Sequence, residues 1–152
     1  MIVYRLSKGK FKNDLSGTGA KLSGGRWNSK GVALLYTGAS RALCTAELAV
    51  HLPLGNIPAD YWMVAIEIPD DAIQELDLAI LPAGWNDFPH SHATQQIGDD
   101  FVKEGKALIL KVPSAVVSGD FNYIINPGHA NMKNVRIVDT VPYTFDNRLF
   151  IR

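Results

Sequence analysis

The sequence predicts a single α+β domain with a mixed, mainly antiparallel sheet and a few helices. Three observations lead there. The 152 residues suit one domain, residues 1–152, and are enough to bury a core without metals or disulfides. Five short segments rich in Val, Ile, Leu or Tyr are bounded by Gly, Pro, Asp or Asn, as strands are. Only two stretches read as helices, and they do not alternate with the strands as βαβ units would.

The expected strands are residues 2–6, 33–37, 61–68, 107–112 and 135–138. The first helix is expected over 40–52, with Ser40 as N-cap, good helix formers after it, and a stop at Pro53 followed by Gly55. The second is expected over 91–103, where Ile97, Phe101 and Val102 supply an apolar face and Gly105 lies just beyond. The longest stretches expected to be irregular are 7–30 and 117–134, and long loops in a small domain often carry function. No repeat, low-complexity tract or linker divides the chain.

Composition narrows the function classes. Apolar residues at 47% and charged residues at 20% are those of a soluble globular protein. Fifteen Lys plus Arg balance fifteen Asp plus Glu, so the chain lacks the basic field that supplies nonspecific affinity for nucleic acid, and no direct binding of nucleic acid is expected. Cys44 is the sole cysteine and has no internal disulfide partner. No apolar run approaches the roughly 20 residues that span a bilayer, and the first charges follow a short apolar run, the reverse of a secretory signal. No membrane association and a cytoplasmic location are expected.

Glu47 is the most informative single residue. On the expected helix it lies four positions after Leu43 and three before Val50, on the face that should turn inward. A buried carboxylate costs several kcal/mol, to order of magnitude, unless it is paired or hydrogen-bonded, so Glu47 asks for a partner. An edge-of-face glutamate bonded to an arginine would satisfy the same pattern.

The run from Gly17 to Gly31, GTGAKLSGGRWNSKG, holds five glycines, two of them directly before Arg26 and Trp27. It is neither a Walker A loop nor a GxGxxG turn between strand and helix, and tight turns alone would explain it. Arg5 and Arg26 each offer a planar fork of donors to phosphate or carboxylate, although an arginine in a strand such as Arg5 can equally point to solvent. Tyr36 and Trp27 fit either the core or a stack on a flat heterocycle. Ser114 lacks the Gly-x-Ser-x-Gly elbow of a serine hydrolase and is expected to make a hydrogen bond instead. Asn122, Asn126 and His129 fall in turn-rich sequence, with Asn126 and Pro127 as a turn signal. His90 and His92 form only an H-x-H pair, without HExxH or CxxC, so no metal site is expected.

Taken together, several stretches resemble the RES domain, a family named for an arginine, a glutamate and a serine. They are YR at Tyr4 and Arg5, GGRWNSKG from Gly24, LLYTGASRALCTAELAVH from Leu34, ALILKVPSAVV from Ala107, NYIINPGH from Asn122 and FDNRL from Phe145. They run over nearly the whole chain in the family's order. One departure is Phe101, where tryptophan is expected in many members.

The resemblance implies a fold similar to ADP-ribosyltransferases, the toxin role in a toxin-antitoxin pair, and NAD as a substrate, with no prosthetic group. It implies as partner a helix-turn-helix antitoxin of the Xre type. It places catalysis on Arg26, Tyr36 and Glu47, and NAD binding on Arg5, Arg26, Trp27, Tyr36 and Ser114, with Asn122 as a weaker member. Cleavage of the nicotinamide-ribose bond by water or phosphate is the implied reaction. Transfer of ADP-ribose to a protein, or a noncatalytic nucleotide-binding module, are the alternatives.

Overall fold

The computed structural model describes residues 1–151 and bears out the α+β class. Seven strands form one sheet: β1 (Ile2–Lys8), β2 (Leu35–Gly38), β3 (Tyr61–Glu67), β4 (Ile73–Glu75), β5 (Ile109–Pro113), β6 (Phe121–Ile125) and β7 (Arg136–Tyr143). Their order is β4-β5-β6-β2-β1-β3-β7, and β4 with β5 is the one parallel pair among them. Among the described residues three α-helices accompany the sheet: α1 (Thr18–Ser23), α2 (Arg41–Ala49) and α3 (His92–Glu104).

The two expected helices stand, and their caps are the expected ones. Ser40 accepts from the Leu43 amide at 3.0 Å and Ser91 from the Thr94 amide at 3.4 Å, while Gly105 closes α3 in the left-handed conformation with φ 61°. α2 is shorter than expected, because Val50 already ends it and residues 50–52 turn away before Pro53. Within the stretch expected to be irregular, β6 is a correction: Phe121–Ile125 pairs with both β2 and β5 at the centre of the sheet. The glycine-rich stretch likewise contains the short helix α1.

Directly paired residues on neighbouring strands share a face, which sorts the side chains into two cores. Val3, Leu35, Val64, Ile66, Ile109 and Ile125 fill one face. Leu34, Phe101, Leu110, Val112, Ile124 and Trp27 fill the other, beneath α3.

The joint between β1 and β2 is the weak line of the sheet. Only Tyr4 and Gly38 pair across it, whereas β1 and β3 pair along all seven residues of β1. α2 follows β2 directly and covers this joint. Cys44 donates from Sγ to the Tyr4 carbonyl at 3.1 Å, a backbone acceptor next to the line where the ladder is interrupted. Gly38 makes the close approach possible: a Cβ there would lie 2.9 Å from Cys44 Sγ.

Candidate functional site

Glu47 sits on the inward side of α2, on the stripe shared with buried Leu43 and Cys44. The stripe ends there, for Val50 is 60% exposed rather than inward as its spacing suggested. The partner that Glu47 requires is Ser114, whose hydroxyl donates to Glu47 Oε1 at 2.7 Å. Ser114 follows the last residue of β5 and is buried. Its Oγ also accepts the amides of Val116 at 3.1 Å and Val117 at 3.0 Å. A hydroxyl has one proton and two lone pairs, so both lone pairs are occupied and the proton belongs to the carboxylate. Ser114 therefore orients Glu47 and is not set up as a nucleophile. Among the described residues Oε2 of Glu47 has no hydrogen-bond partner.

Arg26 comes from the loop that the glycines shape. Gly24 takes φ 71°, and a Cβ on Gly25 would lie 2.7 Å from the Tyr36 hydroxyl. These two glycines let the loop fold over β2. Tyr36 donates to Asn28 Oδ1 at 2.6 Å and accepts the Trp27 amide at 3.0 Å, so the one proton of its hydroxyl is committed. Burial is the main reason that its pKa lies above the usual phenol value. Tyr36 thus presents a fixed ring and no mobile proton.

One guanidinium nitrogen of Arg26, Nη1, donates to the carbonyls of Trp85 at 2.7 Å and Asp87 at 3.0 Å. Burial lowers the Arg26 pKa, and the charge of Glu47, then Tyr36 and Asp87, pulls it back up. Glu47 and Arg26 are close enough to feel each other, yet no ion pair joins them among the described residues. A positive and a negative group thus face one region without neutralising each other directly.

Asn122 lies on the same face as Tyr36, since Gly38 pairs with Asn122 and Tyr36 with Ile124. Its amide reaches the Thr37 carbonyl at 3.4 Å. Arg26, Tyr36, Glu47, Ser114 and Asn122 accordingly gather on the helix-covered face.

Two expected members do not join them. Arg5 pairs with Val64 and follows the opposite face, where its Nη1 donates to the Asp14 carbonyl. Burial lowers its pKa and Asp14 partly offsets this. The odd positions of β1 turn away from α2, which the dipeptide YR alone could not disclose. Trp27 is 3% exposed, its ring 6.1 Å from that of Trp85 within the core under α3, so its indole is a core group rather than a stacking platform.

Other residues enter that sequence reasoning passed over. Asn28, fully buried, turns the two protons of its Nδ2 toward the carbonyls of Ala20 at 2.8 Å, Val32 at 3.0 Å and Ser29 at 3.2 Å, one of them shared, while its oxygen holds Tyr36. It stood inside GGRWNSKG without drawing notice, because an asparagine after a tryptophan carries no signal of burial. His90 lies near Arg26 and His51, and burial followed by those two groups keeps its pKa below the usual imidazole value. Two surface hollows, of about 260 and 590 Å³, are lined elsewhere, by residues such as Lys106 and His129 or Leu15 and Met132.

The family model of the RES domain matches residues 2–146. The chain belongs to the RES domain family. This RES domain is 36% identical over 140 residues to the Prs ADP-ribosylating toxin of Sphingobium sp. (strain YBL2), covering 90% of this chain and 87% of that protein. It is 36% identical over 151 residues to the toxin Res of Photorhabdus laumondii, covering 98% and 97%. The toxin Res of Pseudomonas putida is 34% identical over 152 residues, covering 99% and 100%. Among solved structures, the M. tuberculosis MbcT-MbcA toxin-antitoxin complex contains a chain that matches with TM-score 0.74 and 20% identity, over 98% of this chain and 86% of that one. That likeness supports the fold. Among the described residues no helix is long and apolar enough to cross a membrane.

Proposed function

We propose that this RES domain is the toxin of a toxin-antitoxin pair, an enzyme that consumes NAD by breaking the bond between nicotinamide and ribose. The single observation that carries the reading is the Ser114 to Glu47 hydrogen bond at 2.7 Å, which fixes a carboxylate near a locked Tyr36 ring and an Arg26 that has no ion pair among the described residues. Its relatives of 34% and 36% identity named toxin Res, and the one named Prs ADP-ribosylating toxin, support the class.

The chemistry follows from charge. As the C1′ to nitrogen bond breaks, its electron pair goes to nicotinamide, which leaves neutral, and oxocarbenium character grows on the ribose. A prearranged carboxylate stabilises that positive charge, the role given to Glu47. Ser114 removes the need to reorient it at the moment of reaction. The donors of Arg26 outside its loop contacts suit the pyrophosphate, as charge-assisted hydrogen bonds. The Tyr36 ring sets the nicotinamide plane, and Asn122 offers an amide at the far edge. Water then adds to C1′ and loses a proton, or phosphate adds in its place. Since nicotinamide needs no proton to leave, the missing mobile proton on Tyr36 costs nothing.

A second reading has a specific observation behind it: the Sphingobium relative is named as ADP-ribosylating, so the acceptor is a protein side chain in this alternative. The proposed partner is an antitoxin of the Xre type that binds DNA in place of the toxin; a toxin-antitoxin complex is the setting of the structural neighbour. On this reading the chain acts in the cytoplasm, where NAD and such a partner would meet it. Purified protein incubated with NAD, with and without phosphate and cell extract, tests the reading through nicotinamide and ADP-ribose products. Release without extract supports hydrolysis or phosphorolysis. Release only with extract supports protein modification, and NAD binding without release in either case leaves a noncatalytic nucleotide-binding module.

A further inference from the structure

The loop that carries Arg26 is held from behind by one face of α3. Gln95, Gly98 and Asp99 stand at spacings of three and four, which places them together on the helix surface. Gln95 Nε2 donates to the Gly25 carbonyl at 3.1 Å and to the Asn28 carbonyl at 3.2 Å. Two carbonyl neighbours identify that atom as the nitrogen, and they use both of its protons. Asp99 Oδ1 accepts the Ser29 amide at 2.9 Å. Between them Gly98 lets the backbones touch, since a Cβ there would lie 1.6 Å from the Trp27 carbonyl oxygen.

These contacts bracket Arg26. Gly25 and Asn28 are themselves bridged, the Gly25 amide donating to the Asn28 carbonyl at 3.0 Å. The carbonyls that Gln95 grips are therefore the two ends of the turn whose tip is Arg26 and Trp27. Asn28 in turn holds Tyr36. A shift at Gln95 would reach both proposed substrate contacts, although Gln95 itself touches neither.

We propose that Gln95 is a positioning residue: through the Gly25 and Asn28 carbonyls it fixes the Arg26 turn in the geometry that binds the pyrophosphate of NAD. This rests on the functional reading above and adds the element that sets substrate affinity. The distinction from a residue of mere stability is that the effect falls on binding.

The test uses the whole chain and two variants, Gln95→Met, which keeps length without a donor, and Gln95→Glu, which turns an acceptor toward both carbonyls. Calorimetric titration with NAD, KM and kcat for nicotinamide release, thermal melting, and amide hydrogen exchange at Trp27 and Ser29 are measured together. The expected result is a loss of NAD affinity of about tenfold for Gln95→Met, the scale of one or two lost hydrogen bonds, and a larger loss for Gln95→Glu. KM should rise with kcat changed less, and exchange at Trp27 and Ser29 should quicken while α3 stays protected. Unaltered affinity and exchange in a folded Gln95→Met protein would overturn the proposal, as would a fall in kcat with KM constant. If Gln95→Met melts early, a fall in affinity must still appear in Gln95→Glu well below its melting point, or the proposal fails. If the wild-type chain neither binds nor cleaves NAD, the functional reading fails on its own and takes the substrate half of the proposal with it. Exchange then decides separately whether Gln95 holds the turn.

Discussion

At the scale of single residues, the site is a set of groups whose hydrogen-bonding capacity has been spent to fix their direction. Ser114 gives its only proton to Glu47 and accepts two amides, and Tyr36 gives its proton to Asn28 and accepts the Trp27 amide. Glu47→Gln retains an oxygen for Ser114 to bond and nearly the same volume, so folding should persist while the negative charge disappears. Nicotinamide release is expected to fall by about 10² to 10³, the range for loss of one preorganised electrostatic group, with the melting temperature within a few degrees. Turnover equal to wild type would remove Glu47 from the mechanism. Arg26→Lys exchanges a fork for a point charge that cannot both grip the Trp85 and Asp87 carbonyls and meet a pyrophosphate. A rise in KM of about tenfold or more is expected, on the scale of charge-assisted hydrogen bonds, and an unchanged KM would show that Arg26 serves only the 82–90 segment.

At the scale of elements, the meeting of α3 with the Arg26 loop offers a test in which local propensity and packing predict opposite signs. In an isolated helix, alanine in place of glycine is favourable by about 1 kcal/mol. At position 98 the added methyl would overlap the Trp27 carbonyl oxygen, and this neighbour is backbone that cannot swing aside. Gly98→Ala is therefore expected to destabilise by about 1–3 kcal/mol, read by urea denaturation, and to weaken NAD binding as α3 lifts from the loop. Stabilisation instead would mean that the contact is slack. Elements also show what the sequence made legible. α2 and α3 were readable because caps and apolar spacing lie within a few residues of one another, as at Ser40 with Leu43 and Ser91 with Thr94. β6 was hidden because FNYII stands between Gly119 and the turn at Asn126 and Pro127, and so resembled part of one long loop. Its pairing with β2 and β5 depends on residues far away in the chain. The side to which Arg5 points was hidden for a related reason: alternation gives two faces, and only the register of β1 against β3 says which is which. Glu47 was legible as a residue in want of a partner, whereas the identity of that partner, 67 positions away, came from the fold.

At the scale of the whole molecule, one helix seals the weak joint of the sheet and carries the proposed catalytic carboxylate, so the stability of that joint and the placing of Glu47 are linked. Cys44 is the element's plug. Its thiol donates to the Tyr4 carbonyl, it is 8% exposed, and burial is the leading reason that its pKa is pushed up to about 12. An unfolded thiol titrates near 8.5. Because the folded value lies above the unfolded one, the unfolded chain releases this proton first as pH rises. The contribution of Cys44 is thus whole below about pH 8.5 and is lost progressively toward pH 12, at up to about 1.4 kcal/mol for each pH unit. The buried Tyr36 hydroxyl shifts in the same direction and adds its loss above pH 10 or so, where a free phenol titrates. Urea denaturation between pH 8 and 11 should show stability declining most steeply above pH 9. Tyr61 is raised by burial as well, and Cys44→Ala removes one of these groups, so the variant is expected to start lower at pH 8, having lost the plug and its hydrogen bond, but to decline less steeply. Parallel slopes in the two proteins would show that the Cys44 thiol is not the group whose burial couples this joint to proton release. Alkylation supplies the independent check: the folded protein should resist iodoacetamide at pH 8, and urea should expose Cys44 over the same range in which the sheet is lost.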